Sequence, residues 1–262
     1  MRHRRYAVLA LFLTMGLAAP GLCQDLKQLF KQAHHSVFLL RVFDSSDTEI
    51  GTGTGFLVRE GVLVTNHHVV DEAFRIEVVL PDERTINAAG IIASDPENDL
   101  ALLKLPSVGV KPLPLETSST LEPGDRIFVL GSPLGLSGTV SDGIVAALRP
   151  KGLGSAVRGF EKTPLVQVTA PISPGSSGSP VLNARGAVIG VAVGQLSYGQ
   201  NVNFAIPADS LIALMARGHT IKLERELGEE AKIDTWSYAR NLGISAAVFL
   251  AVYIAFRRLK SS

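Results

Sequence analysis

The sequence predicts an all-β protein built around two β-barrels, and three observations carry that expectation. Between about Asp25 and Arg217 the chain is a succession of short apolar or β-branched runs. They include "SVFLLRVF", "TGFLVREGVLVT", "LALLKL", "DRIFVLG", "PLVQVTA" and "VNFAIP". Turn signals separate the runs: Arg-Glu-Gly at 59–61, Pro-Asp-Glu at 81–83 and Asn-Ala-Arg-Gly at 183–186. So many short strands without helical periods between them fit a barrel or a sandwich. The third observation is the proline-rich stretch "LPSVGVKPLPLETSSTLEPG" (105–124), which divides the strands into two groups of similar size. It reads as a linker between two barrels, one over about 30–105 and the other over about 122–206.

The segments follow in order. "MRHRRYAVLALFLTMGLAAPGLCQ" opens with Arg2, Arg4 and Arg5, turns apolar, and ends in small residues. That is the layout of an export signal over residues 1–23, with cleavage after Gly21 or Cys23; an uncleaved membrane anchor is the alternative. "QDLKQLFKQAHHSVFLL" runs from there straight into the first strand. The one convincing soluble helix is "PADSLIALMARGH", with Pro207 early and Gly218 at its end, closing a domain of residues 25–218. A linker at 219–238 follows. "LGISAAVFLAVYIAF" (242–256) is then apolar on every side, with Arg257, Arg258 and Lys260 after it. With Ala239 included, 239–256 reads as a transmembrane helix and 257–262 as a basic cytoplasmic tail; a buried terminal helix is the alternative. Basic residues outside both apolar segments would place the middle of the chain on the extracytoplasmic side.

Composition narrows the function classes. The chain has 262 residues, a net charge of +1 and 46% hydrophobic residues, enough for a large core. Nothing in the body is basic enough to suggest nucleic-acid binding. Cys23 is the only cysteine, which leaves the domain without a disulfide, a cysteine nucleophile or a cysteine-based zinc site. "GTGTG" lacks the spacing of a dinucleotide fingerprint, and there is no phosphate loop and no His-Glu-x-x-His zinc helix. No metal or cofactor is therefore expected.

The most informative stretch is "APISPGSSGSPVLN" (170–183). It is either a plain turn between strands or a turn in which glycines let backbone N–H groups converge beside an exposed serine. A serine hydroxyl needs a histidine to take its proton, and the histidine needs a carboxylate to hold its tautomer. "VLVTNHHVVDE" supplies a histidine pair, His67 and His68, where a strand ends. "SDPENDLALLKL" supplies Asp95, Glu97 and Asp99, of which Asp99 lies closest to the following apolar strand.

"VTNHHVV", "DPENDLALLKL" and "PGSSGSP" resemble the three catalytic blocks of the trypsin-fold serine proteases of the HtrA/Deg family, in that family's order. "GTGTGFLV", "VLGSPLGLSGTVSDGIVAAL" and "NVNFAIP" match as well, so the resemblance covers about residues 30–217. It implies two six-stranded barrels with a C-terminal helix. The base would be His68 rather than His67, the orienting carboxylate Asp99 and the nucleophile Ser177. Gly175 and Ser177 would form the oxyanion hole, and Pro171 and Ile172 the base of the primary substrate pocket. The implied activity is endoproteolysis of unfolded or exposed polypeptide after small or aliphatic residues, with a homotrimer as the family's usual assembly. The alternative is a catalytically silent, peptide-binding or chaperone-like copy of the fold. Ser176 and Ser179 depart from the usual Asn and Gly around the nucleophile. About 20 soluble residues follow the helix, so the family's peptide-binding PDZ domain is expected to be absent.

Overall fold

The computed structural model describes residues 26–132, 138–150, 160, 162–195, 202–217 and 225–227. The expected signal segment and the apolar run at 239–256 lie outside the described residues. Among these, no helix is long and apolar enough to cross a membrane.

Two antiparallel β-structures make up the body. The first contains β1 (Val37–Phe43), β2 (Glu49–Arg59), β3 (Val62–Thr65), β4 (Arg75–Val79), β5 (Thr85–Asn87), β6 (Gly90–Asp95) and β7 (Leu100–Lys104). A two-residue strand, β14 (Arg225–Glu226), joins its edge, and the order is β14-β6-β7-β3-β2-β1-β4-β5. The second contains β8 (Arg126–Gly131), β9 (Thr139–Arg149), β10 (Leu165–Val168), β11 (Pro180–Asn183), β12 (Val188–Gln195) and β13 (Asn203–Pro207). Those six close into a barrel in the order β10-β13-β12-β11-β8-β9.

The expectation of two closed six-stranded barrels therefore holds only for the second. The first is a curled eight-stranded sheet that stops short of closure. The reason lies in the link from β5 to β6, where Ala88 N–H donates to Ile76 of β4 at 3.0 Å and Ala89 N–H donates to Lys104 of β7 at 2.8 Å. Two successive residues thus bond to opposite sides of the gap, and no strand ladder spans it. The outer edge of β6 is taken instead by β14, with Arg225 opposite Ile91.

Strand alternation explains why β3 and β8 read as unbroken apolar runs. Successive side chains on a strand point to opposite faces. In β3, Val62 and Val64 face the core between the two β-structures while Leu63 faces the core of the first sheet. In β8, Phe128 and Leu130 face the shared core while Ile127 and Val129 fill the second barrel. Both faces are covered, so neither strand has a polar side.

Helices seal the shared core at both ends. The helix anticipated after β13 is α3 (Ala208–Arg217), which buries Leu211 and Leu214. A second one, α1 (Leu26–Ala33), occupies a stretch the sequence reading ran straight into the first strand. Leu26, Leu29, Phe30 and Ala33 recur at helical spacing, and Leu29 and Ala33 are buried in the same core.

Candidate active site

β3 ends at Thr65, and the chain turns through Asn66 into a single helical turn, α2 (His67–Val70). Asn66 is fully buried, and its side-chain N–H donates to the Asp99 carbonyl at 3.0 Å. The His68 backbone N–H donates to Asp99 Oδ1 at 2.8 Å, and ring Nδ1 lies 2.7 Å from Asp99 Oδ2. Both carboxylate oxygens are thus committed to one residue. An ionised carboxylate accepts only, so this contact puts the ring proton on Nδ1 and leaves a lone pair on Nε2. The carboxylate is nearly buried while the imidazole is half exposed, so its outer edge can meet a substrate. Asp99 adopts φ +50°, a conformation that L-residues other than Gly, Asn and Asp seldom take.

His67 points elsewhere. Its Nε2 lies 3.4 Å from Asp71 one turn on, and its buried Nδ1 has no hydrogen-bond partner.

The serine-containing turn lies between β10 and β11. Ser176 N–H donates to the Ser173 carbonyl at 2.9 Å across Pro174 and Gly175, and Gly175 has φ +89°. Pro at the second position and a left-handed Gly at the third define a type II turn. Gly178 follows at φ +86°, and a Cβ there would lie 2.0 Å from the Thr54 carbonyl. Only glycine fits. The backbone donors used inside the turn are Ser176, Gly178 and Ser179, bonded to Ser173, Ala192 and Ser176. The N–H groups of Gly175 and Ser177 alternate with them.

What brings this turn to His68 is the "GTGTG" segment of β2. Thr54 N–H donates to the Ser177 carbonyl at 2.8 Å, and Thr54 Oγ1 donates to the Gly175 carbonyl at 2.8 Å. The same hydroxyl accepts from Ser132 N–H at 3.0 Å, while the Thr54 carbonyl accepts from Thr65 Oγ1 at 2.8 Å. Gly53 lacks a side chain where one would collide: its Cβ would sit 2.7 Å from Val69 and 3.4 Å from the Ser177 carbonyl. Helix α2 and Ser177 therefore flank one strand at one point.

Sequence reasoning identified His68, Asp99, Gly175 and Ser177, and the structure brings them to this interface between the two β-structures. It missed Thr54, Thr65 and Asn66. The signal for them was the run of small residues in "GTGTG" and the polar pair Thr65-Asn66 directly before the histidines. The expected pocket residues separate: Ile172 is buried in the core of the second barrel, whereas Pro171 is exposed with its carbonyl accepting from Ser141 at 3.2 Å. A cavity of about 360 Å³ beside His68 is lined by neither of them. Its walls include Val42, Ile50, Thr52, Asp71 and Glu72.

A β-barrel packed on a curled sheet, with a His–Asp contact and a serine turn flanking one strand, is the framework of a trypsin-like peptidase. The chain belongs to that family: residues 53–191 match the model of the trypsin-like peptidase domain. Relatives of the HtrA type are among those it matches. Serine protease HTRA1 of Xenopus laevis is 35% identical over 188 residues, which are 71% of this chain and 40% of that one. Protease Do-like 1 of Arabidopsis thaliana, a chloroplast protein, is 34% identical over 167 residues, covering 62% of this chain and 38% of that one. Among solved structures, the HtrA-type protease AlgW with a tripeptide superposes with a TM-score of 0.65 at 31% identity, over 72% of this chain and 61% of that chain. The chain spans less than half the length of the curated relatives it matches.

Thr54→Val keeps the shape of the side chain and leaves the Ser132 N–H and Gly175 carbonyl without their partner. The expected outcome is a loss of about 1–3 kcal/mol in stability by denaturant unfolding, the typical cost of stranding buried polar groups.

Proposed function

We propose that this chain is a serine endopeptidase acting on polypeptide, with Ser177 as nucleophile, His68 as general base and Asp99 as the orienting carboxylate. The observation that carries the reading is the pair of bonds from His68 N and Nδ1 to the two oxygens of Asp99, made by a helix that packs on β2, the strand that also anchors Ser177. Ser177 Oγ attacks the scissile carbonyl carbon as its proton passes to His68 Nε2. The Gly175 and Ser177 N–H groups receive the oxyanion, and Asp99 stabilises the imidazolium. The C–N bond then breaks as Nε2–H protonates the leaving amine, giving an acyl-enzyme. Water hydrolyses it, with Nε2 again taking the proton and returning it to Oγ.

Ser177→Ala and His68→Ala are expected to lower kcat on an unfolded substrate by a factor of about a thousand or more, while His67→Ala largely spares it. A fluorophosphonate probe should label the wild-type chain and not Ser177→Ala. A dead His67→Ala beside a live His68→Ala would overturn the assignment.

Cleavage follows small or medium aliphatic residues in this reading. Where the resemblance puts the pocket base, Pro171 and Ile172 offer no carboxylate to a cationic side chain, and Lys or Arg there would lack a charged partner. Profiling with a peptide library tests this; a dominant preference for basic residues would defeat it.

The domain works outside the cytoplasm, exported by residues 1–23 and tethered by 239–256. The supports are the basic-then-apolar opening and the apolar run ended by Arg257, Arg258 and Lys260. Ending the chain at Glu230 should then move activity from the membrane fraction to the soluble one. If both forms fractionate as soluble, the segment is no anchor.

A further inference from the structure

The turn that carries Asp99 is pinned from outside the His–Asp–Ser group. Asp95 ends β6, four residues before Asp99, and is nearly buried. Its Oδ1 accepts from Asn98 N–H at 3.1 Å and its Oδ2 from the Asn98 side chain at 3.0 Å. The same Oδ2 accepts from the guanidinium of Arg217, the last residue of α3. Glu97 is held as well, its carbonyl accepting from Thr163 Oγ1 at 2.6 Å. By contrast, the Asp99 N–H reaches the Pro96 carbonyl only at 3.4 Å.

The left-handed conformation of Asp99 is one that aspartate tolerates without preferring it, and Asp95 supplies both bonds that fix Asn98 immediately before it. Burial acts to raise the Asp95 pKa, and the bonds from Asn98 and Arg217 outweigh it, so the carboxyl stays below its ordinary value. Asp95 can grip Asn98 with both oxygens only while it remains ionised and in place. Arg217 provides its charged partner.

We propose that Arg217 is a positioning residue, acting through Asp95 to hold the 95–99 turn in the shape that sets Asp99 against His68. This rests on the reading of Asp99 as the orienting carboxylate. Arg217 is itself mostly exposed, so its ion pair contributes little to global stability. Its effect falls on the geometry of the turn. The chain beyond α3 returns to the same hairpin, where β14 pairs with β6 and Leu227 N–H donates to the Ala89 carbonyl at 3.3 Å. The segment after the second barrel thus brackets the hairpin that carries Asp99.

The test uses the full chain carrying Arg217→Leu, Arg217→Lys or Asp95→Asn. It measures kcat and KM separately and follows the His68 Nδ1–H resonance by NMR, a readout of the bond to Asp99 that needs no turnover. Asp71 and Glu72, which border the same cavity as His68, and His67 beside it are left unchanged. Arg217→Leu and Asp95→Asn should each lower kcat about ten- to a hundredfold, as expected for displacement by a fraction of an ångström to an ångström, with KM within about twofold. A proton in a short hydrogen bond resonates downfield, so loosening Asp99 from Nδ1 should move the His68 Nδ1–H signal upfield. Arg217→Lys should restore most of kcat and of the signal position. Added to Asp99→Asn, Arg217→Leu should change kcat less than about twofold. The proposal is overturned if Arg217→Leu leaves both kcat and the His68 Nδ1–H signal at wild-type values, or costs as much in the Asp99→Asn background as alone. If the wild type has no Ser177-dependent turnover, the enzymatic reading fails while the His68 Nδ1–H signal still decides the role of Arg217.

Discussion

One residue of β2 holds the two halves of this molecule in register. Thr54 spends its N–H, its carbonyl and its hydroxyl on four partners: Ser177 and Gly175 in the serine turn, Thr65 at the end of β3, and Ser132 after β8. Every one of these bonds crosses between elements, and Thr54, Thr65 and Ser132 are buried. Buried polar groups must be paired, so such a network has few alternative arrangements of comparable energy. A shift of the second barrel along the first sheet would strand several groups at once. The site inherits its precision from that constraint rather than from side chains in contact with a substrate.

The glycines on either side complete the arrangement by what they lack. Gly53 lets Val69 and the Ser177 carbonyl close on one strand, and Gly178 lets the serine turn lie against Thr54. Pro174 and Gly175 pre-set the turn itself, since proline fixes φ near the value its position requires and glycine accepts the left-handed one. Asp99 takes the left-handed conformation less freely than glycine, and it is held by the long-range bond from Asn66 and by the Asp95–Asn98 contacts. The serine side of the site is encoded locally and the carboxylate side by tertiary structure.

That division decides what the sequence made legible. Strands, turns and the order histidine–aspartate–serine depend on short-range patterns, and each could be read from a few consecutive residues. Helix α1 spans only eight residues, too short to stand out against a neighbouring strand although its apolar spacing was present. Failure of the first sheet to close depends on where Ala88 and Ala89 find acceptors, and no local pattern encodes that. Pro171 and Ile172 were expected at the pocket base on the resemblance, and that Ile172 packs in the core of the second barrel depends on contacts distant in sequence. The Asp95–Arg217 pair joins residues 122 positions apart and had no signature at all.

The two terminal helices carry a consequence for synthesis. Leu29 of α1 and Leu211 and Leu214 of α3 fill the same core between the β-structures. The first part of the domain to leave a ribosome therefore waits for the last before its apolar face is covered. Such contacts close very long loops, and their entropy must be met before the packing rewards it. A partly made chain keeps the central core open on one side, with its terminal helix unanchored.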